Sequence, residues 1–316
     1  MHRVGRRAAR PLVAGGLLAC LLAPAAAEVS VVVTIKPLHA LVAQVMDGAG
    51  SPELLVHGTS SAHTYALKPS DAAKLNRADI FFRMSETMEP FTAKVVKSLP
   101  KGVEVVTLQE TAGLQLLPRR TGATFEEEHS HGKHGHGHKH THSAIDGHAW
   151  LDPANAKLMA DRIAQALSAK APAKAATFRA NADRLKAKLD ALDAEVAREL
   201  APVASKPYVV FHDALQYFER RYGLKAAGSI AMSPEVPPGA KRISTLRKKV
   251  LSLGAACVFA EPQFDTRLVD NLVEGTRART GTIDPEGSKI APGPDLYFAL
   301  LRTLAKDLKA CLLPVG

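Results

Sequence analysis

The sequence predicts an α/β protein of two lobes, each with a mostly parallel sheet flanked by helices, the two joined by one long rigid helix. Short β-branched runs alternate with helical patterns from Glu28 to Leu108 and again from Tyr208 to Leu312, which is how βαβ units around parallel sheets read. Between the two series lies the longest helical pattern of the chain, Pro172 to Leu200. The 316 residues, 46% hydrophobic and 23% charged with 22 Gly and 20 Pro, suit a folded chain of about two domains and exclude disorder or a collagen-like repeat.

The N-terminus reads as a targeting segment. Arg3, Arg6, Arg7 and Arg10 precede the apolar run Leu12 to Ala23 and the small residues Ala25-Ala26-Ala27, the pattern of a secretory signal. Residues 1–27 are therefore expected to be removed, with the mature protein starting at Glu28. The alternative is a lipid anchor at Cys20, because Leu17-Leu18-Ala19-Cys20 resembles a lipoprotein box. Four of the ten excess positive charges are those arginines, so six remain in the mature chain and no nucleic-acid partner is expected. No later stretch approaches the ~18 consecutive apolar residues of a transmembrane helix.

In the N-terminal lobe, 28–170, Val29 to Ile35 (VSVVVTI) reads as a strand, followed by a helix near Pro37 to Asp47 and a short apolar run at Glu53 to Val56. A helix from Pro69 to Asn76 and strands at Asp79 to Met84 and Val103 to Leu108 complete it. The connecting segment, 171–201, carries Phe178, Leu185, Leu189, Leu192, Val196 and Leu200 on one helical face. Pro172 suits its first turn and Pro202 its stop. At 1.5 Å per residue the pattern is about 43 Å long, enough to run along both lobes; a coiled-coil dimer is the competing reading, disfavoured by the alanine-rich outer face.

The C-terminal lobe, 202–316, opens with the strand Tyr208 to His212 (YVVFH) and continues with a helix near Leu215 to Tyr222, a strand near Ala226 to Ile230 and a helix near Ala240 to Leu253. The strand Cys257 to Ala260, helices near Thr266 to Arg279 and Pro294 to Leu312, and a short strand near Gly281 to Ile283 follow. With Cys20 in the signal, Cys257 and Cys311 remain as an even pair. In an oxidising compartment they suit one disulfide, the alternative being two buried thiols.

One segment, 125–142, is of another kind. It reads FEEEHSHGKHGHGHKHTH, with His129, His131, His134, His136, His138, His140 and His142 among Gly, Lys and Ser. After Phe125 it has no apolar residue with which to bury a core and is expected to be a mobile loop that binds metal weakly and exchangeably. An expression tag is the competing account of such a run, but tags are terminal and uniform.

Five further histidines remain in the mature chain: His39, His57, His63, His148 and His212. His63 precedes a helix start, His148 follows the histidine-rich loop, and His212 ends a strand, where open α/β sheets place ligands. His39 reads as structural and His57 as a loop residue that assists metal entry. Asp213 and Glu261, near strand ends, are candidates to orient an imidazole through its second nitrogen. Tyr65 and Trp150 flank two of the histidines and either wall the site or pack the core.

The motifs Ser61-Ala-His63-Thr-Tyr-Ala-Leu-Lys-Pro-Ser-Asp71, Gly147-His148-Ala-Trp-Leu-Asp-Pro153, Val210-Phe-His212-Asp213 and Cys257-Val-Phe-Ala-Glu-Pro-Gln-Phe264 resemble those of the zinc-specific periplasmic solute-binding proteins of ABC importers, the ZnuA type. The resemblance covers essentially the whole mature chain in order. It implies a periplasmic, monomeric, non-enzymatic Zn2+ carrier that captures its metal between two lobes and delivers it to a membrane permease. It also implies the ligands His63, His148 and His212, with Asp284 or water fourth. The Glu that some members carry before the first histidine is Ala62 here.

Imidazole suits zinc, whereas manganese prefers more carboxylate oxygen, and members that bind manganese have an acid where His212 stands, so three histidines tilt the site toward zinc. Cobalt, nickel and copper(II) also accept imidazole. Two other readings compete: a zinc hydrolase or lyase, against which no His-Glu-x-x-His sequence is present, and an adhesin or zinc scavenger on the same fold, from which fold alone does not distinguish an importer component.

Overall fold

The computed structural model describes residues 28–120, 122, 124–125, 145–231, 238–254 and 256–313, and residue 2. Outside the described residues lie the signal segment, residue 2 apart, with Cys20, and the loop histidines His129, His131, His134, His136, His138, His140 and His142.

The first lobe runs β1 (Val31–Val33), α1 (Lys36–Met46), β2 (Glu53–Leu54), α2 (Pro69–Arg77), β3 (Ile80–Arg83), α3 (Thr92–Ser98) and β4 (Glu104–Thr107). Two helices, α4 (Pro153–Lys170) and α5 (Ala175–Leu200), lead to the second lobe. There β5 (Tyr208–His212), α6 (Gln216–Tyr222), β6 (Ala226–Ala231), α7 (Ala240–Leu253), β7 (Cys257–Ala260), α8 (Arg267–Val273), β8 (Arg279–Thr282) and α9 (Leu296–Leu312) follow. The sheet orders are β2-β1-β3-β4 and β6-β5-β7-β8, with every pairing parallel. Both sheets wind the same way, so each has a topological switch point, between β1 and β3 and between β5 and β7, the place where open α/β sheets bind ligands.

Side chains alternate along each strand, and the alternation sorts them into three cores. Val31, Val33, Ile80 and Phe82 of one sheet and Tyr208, Val210, Cys257 and Phe259 of the other enter a single cluster with Phe178, Leu185, Leu189, Leu192 and Val196 of α5. Val32 and Phe81 face a smaller first-lobe cluster, and Val209, Phe211, Val258 and Ala260 a second-lobe one. Both sheets and α5 thus share one continuous core.

The long helix is shorter than its sequence pattern. Pro172–Lys174 forms a 3-10 turn, and α5 itself has 26 residues, about 39 Å at the α-helical rise. Helix α4, which the sequence pattern did not announce, folds back against it. Lys157 pairs with Asp190 at 2.5 Å and Lys186 with Asp161 at 2.7 Å, the register of an antiparallel hairpin. The buried face of α4 is rich in alanine (Ala156, Ala160, Ala164), which leaves little contrast between its faces. Toward its start α5 holds α1, with Asn181 Nδ2 donating to the carbonyls of Val45 and Asp47, each at 2.8 Å. Toward its end it holds α9 through Arg302 with Glu195 and Lys309 with Glu199.

Two other boundaries differ from the sequence expectation. Helix α3 was not anticipated, and α8 ends at Val273 because Gly275 turns left-handed at φ 69°, so the chain is already extended in β8 at Arg279. Cys257 and Cys311 form a disulfide that ties β7 to α9. Gly281 lies beside it, where an added Cβ would come within 2.6 Å of the Phe259 ring and 3.2 Å of Cys311 Sγ.

The stretch before the histidine-rich segment crosses to the second lobe, although the sequence assigns it to the first. Leu117 N donates to Tyr217 Oη at 2.9 Å, Phe125 N donates to Ala227 O at 3.0 Å, and Thr124 bridges Gly228 on β6. Ile145 pairs with Pro118 in an antiparallel bridge.

Candidate metal centre

Three elements deliver three histidines to the cleft between the sheet edges. His63 sits in the loop from β2 to α2, whose start is fixed where the Asp71 carboxylate accepts from Lys68 N (3.0 Å) and Tyr65 Oη (2.7 Å). His148 precedes a short 3-10 turn, Ala149–Leu151, that runs into the Asp152 cap of α4. Gly147 allows the close approach of Met88 there, since a Cβ would lie 2.9 Å from that side chain. His212 is the last residue of β5, at the switch point of the second sheet.

Their rings converge. His63 Nε2 lies 3.4 Å from His148 Nε2, which lies 3.3 Å from His212 Nε2. All three residues are buried, and among the described residues they form the one group whose candidate ligand atoms all lie within 4.8 Å of one another. Two carboxylates fix the tautomers. Asp146 Oδ1 accepts from His148 Nδ1 at 2.7 Å and Glu261 Oε1 from His212 Nδ1 at 2.6 Å. With Nδ1 as donor, each Nε2 turns its lone pair toward the other rings, an arrangement that attracts a cation.

Burial, and then the neighbouring rings, hold His63 and His148 well below the usual histidine pKa. Burial also pushes His212 down, but the charge and hydrogen bond of Glu261 outweigh it and leave His212 raised. Burial lifts Asp146 to about 6 against the opposing backbone bond from His148.

Of the expected site residues, the structure gathers His63, His148 and His212 and leaves Asp284 outside the cluster. Both Asp284 oxygens are engaged, by Ser288 Oγ and the amides of Glu286 and Lys289 in their own loop and by Gln263 Nε2 from the loop after β7. Of the two candidate orienting acids, Glu261 does orient His212. Asp213 instead takes the Arg120 guanidinium, which also holds Glu219. Asp146 was missed, although its place two residues before His148 was a signal. Trp150 lies beside His148 with ring centroids 5.2 Å apart. Tyr65 packs on Phe91 instead, and Phe264 meets His212 edge-on. His39 Nε2 donates to Pro52 O at 3.1 Å, a structural bond, and His57 is exposed.

Two parallel sheets that present a buried histidine cluster between their carboxyl edges, on a shared helical spine, define a metal-binding member of the bilobal solute-binding proteins. The family model described as "Zinc-uptake complex component A periplasmic", ZnuA, matches residues 31–311, and the chain belongs to that family. The high-affinity zinc uptake system protein ZnuA of Brucella abortus is 48% identical over 304 residues, 89% of this chain and 91% of that protein. A crystal structure of ZnuA superposes with TM-score 0.75 at 21% identity, over 91% of this chain and 100% of the other. The Zn(II)-bound ZnuA-like domain of Streptococcus pneumoniae AdcA does so with TM-score 0.68 at 25% identity, over 90% and 99%. The family is a periplasmic solute-binding component of zinc uptake, not an enzyme.

Proposed function

We propose that His63, His148 and His212 hold one Zn2+ between the lobes for delivery to the membrane permease of an ABC importer. The observation that carries this reading is the spacing of the ring nitrogens, 3.4 and 3.3 Å. A tetrahedral zinc with Zn–N of about 2.0–2.1 Å sets its ligand nitrogens about 3.3–3.4 Å apart. An all-imidazole nitrogen set favours zinc over manganese, in keeping with the zinc in the pneumococcal relative. The remaining position takes oxygen from the second-lobe loop 283–288 or from water.

In this reading residues 1–27 direct export, the lobes 28–170 and 202–316 act as one monomer around the helix 171–201, and the histidine-rich loop 125–142 is a weak collector. The continuous core through both lobes supports capture without wide hinge motion. The test is competitive titration, against a chelator, of the chain lacking Glu126 to His142, comparing Zn2+ with Mn2+ and repeated with His212→Ala. One tight zinc equivalent that manganese does not displace and that the substitution weakens strongly is expected. Equal manganese binding, or no effect of the substitution, overturns the reading.

A further inference from the structure

His148 and His212, the two rings that an acid orients, are both rooted at one short stretch of chain, 117–120. On one side Asp146 N donates to Leu117 O at 2.9 Å and Ile145 bridges Pro118, so the acid behind His148 is paired with this stretch. On the other side Arg120 reaches the residue that follows His212. Its Nε donates to both oxygens of Asp213, at 3.1 and 3.0 Å, and its Nη2 donates to Oδ1.

The remaining arm, Nη1, donates to Glu219 Oε2 at 2.7 Å. Strand β5 ends at His212, the chain bends at Asp213, and α6, which carries Glu219, begins at Gln216. The bend is tight, with Ala214 N donating to His212 O at 2.9 Å. One planar guanidinium therefore grips both sides of the turn that starts at His212. Tyr217 of the same helix accepts from Leu117 N and donates to Asp146 O, each at 2.9 Å, which closes the circuit back to His148.

The clamp is shielded from water. The side chains of Asp213 and Glu219 are 9% and 5% exposed and that of Arg120 21%, and the Phe125 ring covers the guanidinium at 3.8 Å. Two buried carboxylates this close repel each other unless a cation stands between them. A lysine ammonium would supply the charge but not the fork that serves both acids at once.

We propose that Arg120 is a positioning residue for metal capture: through Asp213 it sets the direction from which His212 enters the cleft, and through the 117–120 stretch it ties that direction to His148. This rests on the three-histidine reading. Arg120 supplies no ligand atom; it holds the 3.3 Å spacing between two that do, His148 Nε2 and His212 Nε2.

The experiment uses the full chain, with a competing chelator to resolve the tightest zinc equivalent, and compares wild type with Arg120→Lys, Asp213→Asn, the double variant and His212→Ala. Arg120→Lys keeps the charge and loses the fork. It is expected to weaken the tight zinc ion ~10-fold and to shift the visible absorption bands of the protein loaded with one equivalent of Co2+. Asp213→Asn should do the same, and the double variant should bind no more weakly than the weaker of the two singles, because both act through one contact. Unchanged Co2+ bands in Arg120→Lys overturn the proposal, whether zinc affinity holds, which makes Arg120 a brace of the fold, or falls, which makes it a charge acting at a distance. Effects of the two single variants that add overturn it as well. If Arg120→Lys does not fold, Asp213→Asn decides by the same two readouts. A contrary result beside a His212→Ala that loses the tight ion removes this inference alone, whereas a His212→Ala that keeps it removes the three-histidine site.

Discussion

Glu261 grips His212 at two points, its Oε1 accepting the Nδ1 proton at 2.6 Å and the His212 backbone amide at 3.1 Å. Asp146 does the same to His148, at 2.7 and 3.0 Å. Two unlike local structures, a strand end and a loop, thus arrive at the same device: one carboxylate oxygen that sets a ring's position and tautomer together.

Glu261→Gln is therefore expected to lower zinc affinity ~10–100-fold, the usual loss when a carboxylate behind a ligating imidazole is neutralised. The Gln carbonyl still accepts both bonds, so the loss would report the missing charge. Asp146→Asn should behave alike. Competition titration of each variant decides it, and wild-type affinity in both would show that the carboxylates only brace the fold.

The pH dependence follows from the unequal rings. His63 and His148 are depressed by burial, whereas Glu261 overcomes burial and leaves His212 above the ordinary 6.5. On acidification His212 is the first of the three to take a proton, and zinc must displace it. Affinity is expected to be flat above the raised His212 value, then to fall about tenfold per pH unit with one proton released per zinc, and more steeply once the other two rings titrate. Glu261→Gln removes what raises His212, so the fall should begin at lower pH. Titrations from mildly alkaline to mildly acid buffer test this, and affinity constant across that range would rule out a histidine site.

What the sequence made legible was whatever depends on local pattern. The YVVFH run became β5 residue for residue, which put His212 at the strand end, whereas only Val31–Val33 of the VSVVVTI run is strand. The orienting acid of His212 was harder to read. Asp213 is adjacent in sequence, but successive side chains leave an extended chain on opposite sides, and it goes to Arg120. Glu261 arrives from β7, which pairs with β5. Asp146 stands only two residues from the imidazole it orients, but in a loop, where no helix or strand period marks which side chains meet. Helix α4 escaped because alanine dilutes its apolar face.

Replacing Cys257 and Cys311 by Ser should cost ~3–4 kcal/mol of stability on the chain-entropy account of a long closed loop, read by guanidinium unfolding under oxidising conditions. The bond joins residues 54 apart and lies at the amino end of β7, in the shared core. Glu261 stands just past the other end of that strand, about 13 Å away at the usual rise. Zinc affinity should thus stay within twofold of wild type, and a large drop would mean that α9 and the disulfide help shape the metal site.

The histidine-rich segment tests whether tight and weak metal sites are separate. Both of its roots are fixed by contacts outside it. Phe125 N donates to Ala227 O, and the Arg120 guanidinium lies 3.8 Å over the Phe125 ring. At the other root Asp146 N donates to Leu117 O at 2.9 Å, and the Asp146 carbonyl accepts from Tyr217 Oη at 2.9 Å. The acid that orients His148 is therefore held by Leu117 and Tyr217. Replacing Glu126 to His142 by a flexible Gly-Ser linker should lower the number of zinc ions bound yet leave the tightest one unchanged in affinity, as calorimetry and chelator competition would show. If the tight ion vanished with the segment, it would belong to those histidines, and the cluster of His63, His148 and His212 would no longer account for capture.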